Sequence, residues 1–191
     1  MTEQPDLVTS MAAAADAVEP IVAAVRPDQW ALPSPCTEWD VRGVVEHLVR
    51  NTDGFLAAVS GGGASPAEPV ASVPDAGLAA AFAASNARLL AVLREPGALE
   101  RTLPLPSGEM PAAVAAGFGL VDLLVHGWDV AKATGQPTDF APELNEAALA
   151  MTRQAMSAFD RSTMTAFAPE QPAPDDASAA DRLAAFLGRA V

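Results

Sequence analysis

The chain has no tyrosine, a single cysteine, two histidines and three tryptophans, and aromatic residues make up only 5% of it. One cysteine excludes an internal disulfide framework and any zinc site built from thiolates alone. Basic residues are also scarce: 11 Lys and Arg stand against 24 Asp and Glu, a formal net charge of −13. A surface of that sign repels phosphate backbones and anionic lipid, so neither nucleic acid nor membrane is expected as a partner. Uninterrupted apolar runs of about 18 residues are missing too, so no transmembrane helix is expected. The opening MTEQPDLVTS carries acids where a secretory signal carries basic residues, and a cytoplasmic location is the expectation.

Half of the residues are hydrophobic, largely through alanine, the residue with the best intrinsic helix propensity. The expected class is therefore all-α, and a length of 191 residues suits one domain with a small appendage. Three-and-four spacing of Leu7, Met11, Ala15, Val18, Val22 and Val25 predicts a first helix over 5–26, which Pro20 should kink or split. A second helix is expected from near Thr37, the candidate cap, with Val41, Val44, Val45, Leu48, Val49, Phe55, Leu56 and Val59 on its apolar face. Gly61 to Pro74 reads as a flexible loop, placed to help close a pocket.

A third helix is expected over about 75–94. A short edge hairpin follows around Pro106-Ser107-Gly108, and a fourth helix runs to Thr134, closed by Gly135. A fifth follows Pro142 and carries Leu144, Ala148, Met151, Ala155 and Phe159, and a last short one is capped by Ser178 with Asp181. Residues 168–177 form a Pro-rich linker. The expected organisation is a helical bundle over 1–165, with 166–191 as linker and short helix packing back on it.

Both histidines, His47 and His126, fall on expected helices. Asp122 and His126 are four residues apart, roughly 40° around one helix, so their side chains can converge on one point. With His47 from a facing helix they would offer two imidazoles and a carboxylate, a ligand set known from catalytic zinc and non-haem iron sites. His47 lies about 120° from the centre of its helix's apolar stripe. Its neighbours there, Gly43, Asn51, Gly54 and Ala58, are small or polar and leave room for a ligand. Asp129 could hydrogen-bond a ligand imidazole or serve as general acid or base. Other readings stand beside these: an Asp four residues before a His can simply pair with it, and both histidines can be structural. Cys36 reads as a thiol, a ligand or a small hydrophobe, and Trp39 and Trp128 as pocket wall or core.

The stretch Pro35-Cys36-Thr37-Glu38-Trp39-Asp40-Val41-Arg42-Gly43-Val44-Val45-Glu46-His47-Leu48-Val49 resembles the P-C/T-x-W-x-V-x-x-L-x-x-H-L signature of a known superfamily. That superfamily groups DinB-like proteins with the N-terminal domain of mycothiol-dependent maleylpyruvate isomerase. Asp122-Leu123-Leu124-Val125-His126-Gly127-Trp128-Asp129-Val130-Ala131-Lys132-Ala133-Thr134-Gly135 is similar to its second motif, E/D-x3-H-x-W/V-D-L-A-x-A-T-G. Gly108-Glu109-Met110-Pro111 and the tail from Asp181 to Arg189 resemble an actinobacterial metal-binding branch.

The resemblance implies a DinB-like four-helix bundle holding a divalent metal, zinc or nickel, through His47, Asp122 and His126. It also implies Asp129 in the place of an aspartate implicated in catalysis. A low-molecular-weight thiol such as mycothiol would be cosubstrate, with an electrophilic small molecule as its partner. The chain departs from the isomerase in two ways: Asp122 stands where that enzyme carries Glu, and where it has a separate C-terminal domain only about 30 residues are seen here after the expected fifth helix. The expected function is thus a metal- and thiol-dependent transferase or isomerase-like detoxification enzyme rather than maleylpyruvate isomerisation itself. A non-catalytic metal- or ligand-binding bundle is the alternative. A homodimer paired through an outer helix, with or without metal, also stays open.

Overall fold

The computed structural model describes residues 6–62, 73–105, 108–157 and 168–191. Six helices account for most of them: α1 (Leu7–Ala23), α2 (Val41–Val59), α3 (Asp75–Leu93), α4 (Ala112–Thr134), α5 (Pro142–Met156) and α6 (Ala179–Phe186). A two-stranded antiparallel hairpin, β1 (Thr102–Leu105) and β2 (Gly108–Pro111), joins α3 to α4 and pairs Thr102 with Pro111 and Leu105 with Gly108. Its expected turn residues, Pro106 and Ser107, lie outside the described residues, as do Phe159 and most of the Gly61–Pro74 loop.

The first four helices form the bundle, α1 packing on α3 and α4, and α2 on the same two. This is the all-α, DinB-like four-helix fold expected above. Helix α4 is central: from Leu120 through Ala131 all but Asp122 are buried. By length and composition α3 and α4 could each cross a membrane, but much of α4 is spent inside the bundle, with 67% of its most apolar window buried.

Local chemistry sets the boundaries. Asp6, not yet helical, accepts the Val8 and Thr9 N–H groups and starts α1. Pro20 does not split that helix. It falls in the last turn, and the helix ends three residues later with the Ala24 N–H on the Pro20 carbonyl. The second helix starts at Asp40, not at Thr37. The intervening loop folds into a turn of its own, with Trp39 N–H on the Cys36 carbonyl. The Leu32 and Trp30 carbonyls take the Val41 and Arg42 N–H groups, and the Asp40 carboxylate takes that of Gly43 at 2.7 Å. Three donors that a helix start leaves open are thereby satisfied, and α2 is seated firmly on the loop that carries Trp39.

At the other end of the site, α4 approaches α1 closely. A Cβ added at Gly127 would lie 2.6 Å from the Val18 side chain, so only glycine lets the helices meet there. Gly135 closes α4 in the left-handed region, φ 71°. Helix α6 packs on α5 and α4. It is fastened by the buried Trp128 indole, which donates to Asp181 at 2.7 Å, while Asp181 also accepts Thr138 Oγ1 at 3.1 Å.

Candidate metal site

Helices α2 and α4 lie side by side, and each brings one imidazole to their contact, with ring centroids 4.9 Å apart. His47 Nε2 is 3.3 Å from Asp122 Oδ1, and His126 Nε2 is 3.4 Å from the same oxygen. The three donor atoms all fall within 4.8 Å of one another. A tetrahedral zinc with bonds of about 2.0–2.1 Å spaces its ligand atoms about 3.3–3.4 Å apart, so the donor set fits a small divalent cation.

The second layer orients these donors. His126 Nδ1 lies 2.9 Å from Asp129 Oδ2. An ionised carboxylate can only accept, so Nδ1 carries a proton and Nε2 is the nitrogen turned toward Asp122. Asp129 has no exposed surface, and its buried charge is balanced by Arg189, whose Nε and Nη2 donate to the two carboxylate oxygens at 3.3 and 3.0 Å. Of the two roles open to Asp129 in the sequence, holding an imidazole is the one with a partner in reach.

Arg189 arrives there through the end of α6. Gly188 takes φ 91°, its N–H bonds to the Ala185 carbonyl, and the Arg189 N–H reaches back to the Ala184 carbonyl. That is the Schellman arrangement, which turns the chain back across the helix end. A Cβ at Gly188 would also meet Ala168 at 2.6 Å.

On the α2 side, Trp39 stacks on His47, centroids 4.3 Å apart and planes at 29°, and its ring lies 5.7 Å from that of His126. Of the two tryptophans left open between wall and core, Trp39 flanks the site and Trp128 is core. The room expected beside His47 is partly filled: a Cβ at Gly43 would come 2.9 Å from Trp39 Cβ, and Asn51 hydrogen-bonds into the site. Gly54 does face open space, with nothing within 4 Å of an added Cβ. Cys36 is half-buried, with Sγ within 4.8 Å of donor atoms of His126 and Asp129. Burial pushes its thiol pKa up against the pull of Arg189, so it packs here as a small apolar group without an activating partner that prevails.

The facing charges act on each other. Burial raises the Asp122 pKa, but the imidazoles of His126 and His47 outweigh it and hold the carboxyl well below the usual carboxylate range. Burial likewise lowers that of His126, and its contacts with Asp122 and Asp129 override this and push it up to about 9. Asn51 and Arg189 escaped the sequence reading as parts of a site, whereas Trp39 stood there as a candidate pocket wall. Asn51 was visible one turn after His47. Trp39 was visible as an aromatic just before the second helix. Arg189 had only a following-glycine signal, the Gly188 at the end of α6.

A family model described as mycothiol maleylpyruvate isomerase N-terminal domain matches residues 11–131. Two uncharacterized proteins of Mycobacterium tuberculosis, from strains CDC 1551 / Oshkosh and ATCC 25618 / H37Rv, are each 42% identical over 178 residues, covering 93% of this chain and 94% of theirs. No solved structure matches the chain.

Proposed function

This chain belongs to the mycothiol maleylpyruvate isomerase N-terminal domain family, and from that premise we propose that it is a divalent-metal-binding protein acting on a low-molecular-weight thiol. The observation that carries the reading is the meeting of His47 Nε2, Asp122 Oδ1 and His126 Nε2, with the carboxylate oxygen 3.3 and 3.4 Å from the two nitrogens. Two imidazoles and a carboxylate suit zinc or nickel. A divalent cation held there would lower the pKa of a bound thiol or water.

The residues divide the work. His47, Asp122 and His126 bind the cation. Asp129 and Arg189 fix the ring of His126, so any part Asp129 takes in proton transfer runs through that imidazole. Trp39 covers one side of the His47 ring and excludes water from it. Transfer of a mycothiol-class thiol to an electrophile, in a cytoplasmic setting, is the reaction that joins this site to the family. Pairing of two copies would use the outer surface where Val114 and Phe118 of α4 and Met151 of α5 stay exposed, and light scattering of the purified protein reads it directly.

Metal analysis of protein purified without added metal, set against His47→Ala, tests the binding. Bound zinc or nickel in the wild type and its loss in the variant are expected, and equal content in both sinks the reading. Mycothiol incubated with model electrophiles, with loss of thiol followed, tests the turnover. Loss that never exceeds the rate without protein favours the second reading, a non-catalytic metal-binding bundle. That second reading has one observation on its side: the donor aspartate is Asp122, a residue shorter than the Glu of the isomerase.

A further inference from the structure

Gly54 lies inside α2, two turns after His47 and roughly 20° from it around the helix, on the edge that carries the candidate site. Glycine weakens a helix interior, and no neighbour in the described chain requires it at this position. A Cβ added there meets nothing within 4 Å, whereas the other glycines inside described helices, Gly43, Gly77, Gly117, Gly119 and Gly127, each have a side chain within that distance. Helices α2 and α4 run antiparallel past the site. Trp39, just before α2, has its ring 5.7 Å from that of His126, while Asn51 further along brings its amide nitrogen to 3.3 Å from Asp122 Oδ2. Beyond Asn51, Gly54 therefore comes level with Phe118, which stands one turn before Asp122 and roughly 40° from it around α4. Phe118 is 55% exposed, more than any other large hydrophobic residue among those described. On the next turn of each edge stands an alanine, Ala58 on α2 and Ala115 on α4, so the surface there stays low.

The opposite side of the site is filled. Trp39 stacks on His47, and Asp129 with Arg189 stands behind His126. A ligand held by His47, Asp122 and His126 through a cation has its free path toward Gly54. We propose that Gly54 and Phe118 form the subsite for the carbon body of the thiol, with the bare backbone of Gly54 as its floor and the Phe118 ring as its wall. The face of an aromatic ring is electron-rich and attracts C–H groups, so the wall suits a body that presents a C–H face, such as a sugar ring, over a short charged chain. The proposal rests on the metal and thiol reading above; it adds where the body of the thiol lies and which two residues set its size and shape.

The test uses the full chain loaded with Co2+, in which a bound thiolate shows as a sulfur-to-cobalt absorption. Two probes, 2-mercaptoethanol and thioglucose, are titrated into wild type, Gly54→Leu and Phe118→Ala. Leucine is the better helix former and enters open space, and Phe118 is exposed, so both variants are expected to fold; circular dichroism and Co2+ content check this. The wild type is expected to bind both thiols. Gly54→Leu should keep its affinity for 2-mercaptoethanol and lose about tenfold or more for thioglucose. Phe118→Ala should weaken thioglucose severalfold and leave 2-mercaptoethanol unchanged. Thioglucose affinity unchanged in both variants overturns the subsite, as does equal loss of both thiols or a wild type that takes 2-mercaptoethanol alone. A Phe118→Ala protein that changes from dimer to monomer in light scattering, with thioglucose affinity intact, assigns that ring to pairing and overturns its part as wall. A wild type that binds no Co2+, or binds it and shows no absorption even with 2-mercaptoethanol, overturns the metal or the thiol reading and the subsite with it.

Discussion

At the scale of single residues, His126 is the group whose charge matters most. Its folded pKa of about 9 stands above the 6.5 of a free imidazole. The proton it takes up on folding therefore contributes stability that is fully present below pH 6.5 and is lost as the pH rises through 9. Chelator-treated protein is expected to melt at falling temperature across that window, and His126→Gln to flatten the trend. Equal slopes for the two proteins would show that His126 does not carry it. Asp122 works in the opposite direction: held below its ordinary range, it stabilises at neutral pH and ceases to do so in acid. A cation must displace the His126 proton, so its affinity should climb as the pH rises toward 9, by about tenfold per unit. Competition with a chelator at several pH values reads that slope, and an affinity independent of pH would contradict it.

At the scale of elements, the contact of α1 with α4 fixes where His126 stands, because Gly127 is the next residue and Val18 fills the space a Cβ would need. Gly127→Ala should destabilise by about 1–3 kcal/mol, the usual cost of overpacking a well-filled core. Valine is stiff at χ1 and cannot swing away. Val18→Ala in the same chain should recover part of the loss, and thermal or denaturant melts of the single and double variants measure the coupling. Strict additivity would mean that the two residues do not meet. Much at this level was legible in sequence, including the glycine that closes α4, the Ser178 cap of α6 and the one-turn spacing of Asp122 with His126, since each is a short-range pattern. The start of α2 was not. Thr37 and Asp40 can both cap, and the choice fell to hydrogen bonds that the Val41 and Arg42 N–H groups donate to the Leu32 and Trp30 carbonyls, which no local pattern encodes. The same holds for Asn51 and Asp122, whose contact joins positions 71 residues apart.

At the scale of the whole molecule, the candidate site depends on a residue outside the bundle. Arg189 balances the buried Asp129 charge, and breaking a buried pair by removing one partner costs about 3–5 kcal/mol. Arg189→Leu is expected to lower the melting temperature and to weaken cation binding by about 10–100-fold through the loosened His126. Asp129→Asn in the Arg189→Leu background, which removes the stranded charge, should restore much of the melting temperature but not the affinity. Calorimetry and chelator competition separate the two effects, and an Arg189→Leu protein with wild-type affinity would show that the pair plays no part in the site. The pair also spans 60 residues of chain. At about 5–20 residues per second a ribosome makes Asp129 roughly 3–12 s before its partner. For that interval Asp129 has the His126 imidazole on its own helix but not the guanidinium, so during synthesis the bundle should close first and the complete pairing behind His126 only afterwards.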